Sequence, residues 1–298
     1  LWETGNTGRS RLMEQQGPAG ATPALRGELV ADTGQAGIAV EVAGVSKAFR
    51  VQGRIVQALQ DVHLAAGPGE FVTLIGPSGC GKSTLFNILC GLMQPDAGDV
   101  RLDGVPALQR TGRLAYMPQK DLLLPWRSVL DNVILGPEIA GVLREKARAQ
   151  AQAWLPLFGL EGFADAYPAV LSGGMKQRAA FLRAVLQDKP AILLDEPFGA
   201  LDAITRRNLQ EWLLSVWQRL GRTILFITHD VEEAIFLSDR VYVMTPRPGR
   251  VSLALPIALP RPRTRAMLVG SEFAACRERL MAVMRESDPF THHDSLER

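Results

Sequence analysis

Hydrophobic and polar positions alternate over Ile38–Val45, the two-residue period of a half-covered strand, and this segment is read as an edge strand. Phe71–Ile75, Ala191–Leu194 and Thr223–Thr228 are instead unbroken apolar runs, the pattern of strands buried on both faces of a parallel sheet. Helical character dominates over Lys82–Leu92, over most of Val129–Leu160, over Lys176–Gln187 and from about Glu272 to Arg285. Strands alternating with helices predict an α/β chain built from βαβ units. Between about residues 93 and 188 the buried-strand signal thins, so a helical subdomain inserted into the sheet domain is expected.

Residues 1–37, rich in Gly, Ala, Thr and Gln and without periodicity, read as a disordered leader, within which Met13 is a candidate start. The domain proper is expected over 38–255, followed by a Pro-rich segment and a helix over 256–298. The dense basic cluster Arg261-Pro-Arg-Thr-Arg265 is read as a solvated linker.

Charge and composition narrow the partners. Lys plus Arg total 33 against 31 acidic residues, and a net charge of +2 gives no field that argues for nucleic acid. The longest apolar stretches, such as Val251–Leu259, fall far short of the roughly 20 residues of a membrane span. No basic start leads into an apolar stretch, and Cys80, Cys90 and Cys276 suit neither a disulfide framework nor a zinc site. A cytoplasmic setting is expected.

Gly76-Pro77-Ser78-Gly79-Cys80-Gly81-Lys82-Ser83-Thr84 follows a buried strand and opens a helix, the context that a phosphate-binding P-loop requires. The glycines let successive N–H groups curl toward one anion, and the helix N-terminus adds about half a positive charge. Lys82 then serves the β- and γ-phosphates, the Ser83 hydroxyl faces Mg²⁺, and Thr84 makes a further phosphate contact. Cys80 sits where a helix N-terminus favours a reactive thiol, although a small residue that simply fits is the preferred reading. Asp195 and Glu196 end a buried strand facing that loop, where Asp195 can hold the metal shell and Glu196 can polarise water.

Leu171-Ser172-Gly173-Gly174-Met175-Lys176-Gln177-Arg178 resembles the LSGGQ-type signature of the ABC ATPase family. On physical grounds Ser172, two glycines and the following helix make a second anion-binding surface. The resemblance implies the P-loop NTPase fold of ABC ATPases, with a central mixed sheet and an inserted helical subdomain. It also implies ATP hydrolysis with Mg²⁺, and a homodimer in which one subunit's signature faces the other's P-loop. Carried onto this sequence, Gln119 is the Q-loop glutamine at the Mg²⁺-ATP site and Gly199-Ala-Leu-Asp202 is the D-loop. His229, in Thr228-His-Asp230, is the switch histidine acting with Glu196 and Lys82, and Phe49 stands where an aromatic stacks on adenine.

Narrower marks resemble the nitrate, sulfonate, taurine and bicarbonate importers: the segment from Leu123 to Val133, Pro197–Asp202, and Pro246-Arg-Pro-Gly-Arg250. That resemblance implies a membrane permease docking near Leu123–Arg127, where Leu123, Leu124, Pro125 and Trp126 read as an exposed apolar cluster. It further implies an extracytoplasmic solute-binding protein reached indirectly, and a place on the cytoplasmic face of the inner membrane. The runner-up expectation is a non-transport ABC ATPase acting on nucleic acid or ribosomes, whose usual coiled-coil arms, zinc modules or second cassette the sequence does not display. The signature excludes a P-loop kinase or GTPase.

Overall fold

The computed structural model describes residues 37–286, so the leader expected over 1–37 lies outside the described residues apart from Gly37, as does the tail from 287. In chain order the elements are β1 (Val40–Val51), β2 (Arg54–Ala66), β3 (Phe71–Ile75), α1 (Lys82–Leu89), β4 (Ala97–Leu102), β5 (Val105–Pro106) and β6 (Ala115–Met117). There follow α2 (Val129–Val133), α3 (Leu135–Ile139), α4 (Arg144–Trp154), α5 (Gly173–Val185), β7 (Ala191–Asp195) and α6 (Ala203–Leu220). The chain continues through β8 (Thr223–Ile227), α7 (Val231–Leu237), β9 (Arg240–Met244), β10 (Val251–Pro256) and α8 (Ser271–Glu286).

A six-stranded sheet runs in the order β10-β9-β3-β8-β7-β6, parallel throughout except for the antiparallel β10–β9 pair. Its inner strands β3, β7 and β8 are buried on both faces, which is why they read as unbroken apolar runs. Phe71, Ile75, Ile192, Leu194, Ile224 and Phe226 face a core shared with α2, α4 and α5 to α8. Val72, Leu74, Leu193 and Leu225 face a second core, closed by α1 and a separate antiparallel sheet in the order β2-β1-β4-β5.

That separate sheet corrects the reading of Ile38–Val45 as an edge: β1 lies between β2 and β4 and pairs with both. The alternation marks a sheet with one packed and one wetter face, which is a different property from lying at an edge. Strands β4, β5 and β6 all fall between residues 93 and 188, and the helical part of that segment begins at Val129. Those strands are only two to six residues long, too short to show a period. The Val129–Leu160 stretch breaks into three helices, α3 ending at a glycine, Gly141, in left-handed backbone (φ 81°). The Arg261–Arg265 cluster is no solvated linker either: its three arginines fold onto α6 and α7, with Arg263 buried. Among the described residues no helix is long and apolar enough to cross a membrane.

Candidate functional site

Strand β3 delivers the P-loop at its carboxyl end, and α1 begins at once beyond it. The turn into the helix needs glycine. At Gly81 φ is 108°, and a Cβ there would sit 2.6 Å from Leu59 Cδ2 and 3.0 Å from the Ala58 carbonyl oxygen. Lys82, the first residue of α1, is only 6% exposed. Its ammonium arches back over the loop and donates to the carbonyls of Gly76 (2.7 Å) and Pro77 (3.0 Å). A buried cation satisfied by neutral carbonyls is a receptor for anionic oxygens.

Asp195 closes β7, 4% exposed, and accepts a hydrogen bond from the Tyr116 hydroxyl on β6 at 3.3 Å. Burial pushes its carboxyl above the usual carboxylate range, opposed by hydrogen bonds from Ser83 and Tyr116 and reinforced by the adjoining Glu196. Glu196 itself takes left-handed backbone at φ 46°, a conformation that costs a non-glycine residue about a kilocalorie or more and that the surroundings must enforce. Its N–H is tied to the Ile227 carbonyl at 3.0 Å. Its Oε2 accepts from Gln119 Nε2 at 3.0 Å and lies 3.7 Å from His229 Nδ1. The three residues come from beyond the carboxyl ends of β6, β7 and β8, neighbours in the sheet, so the parallel order brings them together.

A cleft of roughly 400 Å³ joins Gln119 and Glu196 to the P-loop, whereas Asp195 and His229 do not line it. Its wall includes Phe49, Ser78, Gly79, Gly81, Lys82, Ser83, Thr84, Gln119 and Glu196, together with Val56 and Ala58 of β2. A larger hollow of about 620 Å³ lies between α7 and α8, but it holds no P-loop residue and only His229 of this group, so chemistry favours the smaller cleft. Cys80 is 1% exposed and its side chain belongs to the core beneath the loop, which fits the preferred reading of a small residue that packs.

Ser172 caps α5, its hydroxyl accepting the Met175 N–H at 3.3 Å, and Ser172 and Gly173 are exposed while Gly174 is buried. None of the three lines the cleft. Asp202 caps α6 by accepting from the N–H groups of Ile204 (3.1 Å) and Thr205 (3.0 Å), bonds that hold its carboxyl below the usual range. The expected apolar cluster at Leu123–Trp126 divides: Leu123 is packed into the core and Leu124 is half-buried, whereas Pro125 and Trp126 are exposed, Trp126 at 72%, as is the neighbouring Leu122. Loop direction, which residue types alone do not encode, decides which apolar residue turns inward.

Two groups of the site carry no signal in the sequence. Tyr116 holds Asp195, and Arg247 lines the cleft while donating to the Gly79 carbonyl through Nη2 (2.9 Å) and Nε (3.3 Å). Arg247 lies within the Pro246–Arg250 motif, but only tertiary packing shows that this turn folds onto the P-loop. The contact is close: a Cβ on Gly249 would be 2.0 Å from the Cys80 carbonyl oxygen, and the Gly249 N–H donates to Ala58 at 2.9 Å.

The profile of the ABC transporter family matches residues 59–199. The taurine import ATP-binding protein of Rhizobium johnstonii is 42% identical over 241 residues, covering 79% of this chain and 92% of the relative. An aliphatic sulfonates import ATP-binding protein of Bacillus cereus is 41% identical over 227 residues, covering 76% and 89%. Among solved structures, a dimeric ATP-binding cassette in a post-hydrolysis state, bound to ADP and phosphate, superimposes with a TM-score of 0.65 at 31% identity, covering 74% of this chain and all of that one.

Proposed function

The chain belongs to the ABC transporter family as an ATP hydrolase coupled to transmembrane transport, and from that premise we propose that it powers import of a small anion, of the taurine or sulfonate kind, through a separate membrane permease. One observation carries the chemistry: Gln119 and His229 converge on a single oxygen of Glu196 at the mouth of the P-loop cleft. In this reading the P-loop N–H groups and Lys82 hold the polyphosphate and Phe49 packs against adenine. Glu196 polarises the attacking water, Gln119 orients that carboxylate, and His229 faces the γ-phosphate.

Asp195 and Ser83 offer two hard oxygen donors side by side, and among the described residues no cluster of three His, Cys, Asp or Glu could hold a metal ion unaided. That donor set fits Mg²⁺, which takes few protein ligands and binds largely through substrate phosphates. Bound there, Mg²⁺ would supply charge neutralisation on the phosphates.

The exposed signature surface at Ser172 and Gly173, absent from the cleft wall of its own chain, is what a second copy would use. We read the working unit as a head-to-tail homodimer closing over two ATP molecules, in keeping with the related dimeric cassette. Exposed Leu122 and Trp126 follow Gln119 in the same loop, which supports reading a permease-docking surface next to the residue that holds Glu196. The assembly would sit on the cytoplasmic face of the inner membrane and reach a solute-binding protein only through the permease.

The test is the solution mass of Glu196→Gln with and without Mg-ATP. A monomer that becomes a dimer only with ATP supports the composite site. Tight ATP binding without association would overturn it.

A further inference from the structure

The three arginines at 261, 263 and 265 belong to the segment after β10, and each finds a designed place on α6 or α7. Arg261 donates to Asp239 Oδ1 (2.8 Å) and to the Leu237 carbonyl (2.8 Å), with its guanidinium 4.3 Å over the Trp217 ring. Buried Arg263 donates to the carbonyls of Ile235 (2.7 Å) and Phe236 (3.1 Å) near the end of α7, groups that a helix terminus leaves without intrahelical partners. Arg265 donates to Glu211 Oε1 (2.7 Å) and the Arg207 carbonyl (2.6 Å), and packs 4.4 Å over the Phe236 ring.

Arg265 makes one more bond, and it leads inward. Its Nη2 donates to Gln210 Oε1 at 3.0 Å, which turns the amide so that Gln210 Nε2 donates to Glu233 Oε1 at 2.7 Å. Glu233 is 5% exposed, and its other oxygen accepts the Thr228 hydroxyl. The Thr228 oxygen in turn accepts the Asp230 N–H at 3.0 Å, while Asp230 caps α7 at the Glu233 N–H, also at 3.0 Å. The two residues flanking His229 are therefore both fixed by one chain of donors and acceptors that starts on the C-terminal segment and is buried at its centre. The bond from Arg265 to Gln210 Oε1 leaves the amide nitrogen to face Glu233, so loss of the arginine frees the amide and weakens the hold on Glu233.

We propose that Arg265, Gln210 and Glu233 are positioning residues for His229, through which the C-terminal segment sets the rate of ATP hydrolysis. The inference rests on the reading of His229 given above. A staple that merely holds α7 in place would use the same contacts, so the test must move something that stability does not.

The experiment measures kcat and KM for ATP well below the melting temperature for Arg265→Ala and Gln210→Leu, alone and combined with His229→Ala. Arg265 is partly exposed, so its variant is the one expected to fold without difficulty. Each single variant should lose at least about tenfold in kcat, as displaced catalytic groups do, with KM within about twofold. Adding either change to His229→Ala should cost nothing further, because the residues act through that side chain. Full kcat in Arg265→Ala and Gln210→Leu, or the same additional loss in the His229→Ala background, overturns the proposal. Normal turnover in His229→Ala itself would instead remove the reading of the histidine, and this inference with it.

Discussion

Gln119 Nε2 donates to Glu196 Oε2 over 3.0 Å, and this single bond joins the loop after β6 to the strained residue after β7. With His229 Nδ1 at 3.7 Å from the same oxygen, the carboxylate is aimed by its neighbours and by its own left-handed backbone. Removing the amide in Gln119→Ala should therefore misdirect Glu196 more than it weakens ATP binding. A fall of about 10²-fold in kcat is expected, the scale of a 1 Å misplacement, with KM little changed. Phosphate-release kinetics decide it, and undiminished turnover would mean that Glu196 needs no such guide.

Arg247 holds the Gly79 carbonyl from the cleft side, so its charge stands beside the phosphate cradle. Arg247→Ala should raise the Kd for ATP by about threefold to tenfold, the worth of one solvent-screened cation, and should affect AMP less than ATP. Arg250→Ala, exposed on the same turn but outside the cleft wall, is the control. Equal losses for AMP and ATP would assign Arg247 to loop structure alone.

Much of this site was legible in the chain itself because its signals are local. The P-loop spacing, the apolar runs of β3, β7 and β8, and the acidic pair ending β7 each lie within a dozen residues of sequence. What could not be read depends on where distant acceptors fall. Arg261, Arg263 and Arg265 look solvated until the carbonyls ending α7 and the rings of Trp217 and Phe236 are set beneath them. Leu122 and Leu123 are chemically identical, and only the course of the loop exposes one and buries the other. Arg247 meets Gly79 across 168 positions of sequence, a separation no periodicity reports.

Trp126 is 72% exposed while Arg127 beside it is anchored to Glu138 at 2.7 Å, so the indole is held outward on a braced loop. An exposed Trp on a fixed support is the kind of side chain that anchors protein interfaces. Trp126→Ala should leave ATPase of the isolated subunit unchanged and lower ATP-driven uptake in membranes by an order of magnitude or so, roughly the worth of one such anchor. Parallel loss of both activities would show that the indole supports the fold.

Thiol chemistry offers a check on the packing under the P-loop. Cys80 is buried, and burial together with Asp195 pushes the Cys90 thiol up to about 12, so Cys90 stays protonated at neutral pH. Cys276 is half-buried, and burial raises its thiol as well. Maleimide on the native protein should thus react slowly, at Cys276 first, and leave ATPase intact. Rapid modification of Cys80 with loss of activity, prevented by ATP, would show that the loop opens far more than its packing allows.

Asp195 carries a conflict between stability and use. Burial holds its carboxyl above the ordinary range, so between its unfolded and folded pKa values the folded chain binds the extra proton. In that window stability falls as pH rises, and above it the full penalty of a buried carboxylate remains. The proposed metal role needs the charged form, so the chain keeps a destabilising group where chemistry requires it. Asp195→Asn removes the charge while its amide oxygen can still accept from Tyr116. The variant should have a higher urea midpoint than the parent at neutral pH, a gap that closes on acidification as the parent's carboxyl takes up its proton. It should also lose Mg²⁺-dependent hydrolysis. Equal or lower stability at neutral pH would show that hydrogen bonds from Ser83 and Tyr116, with the Lys82 charge nearby, already outweigh the cost of burial.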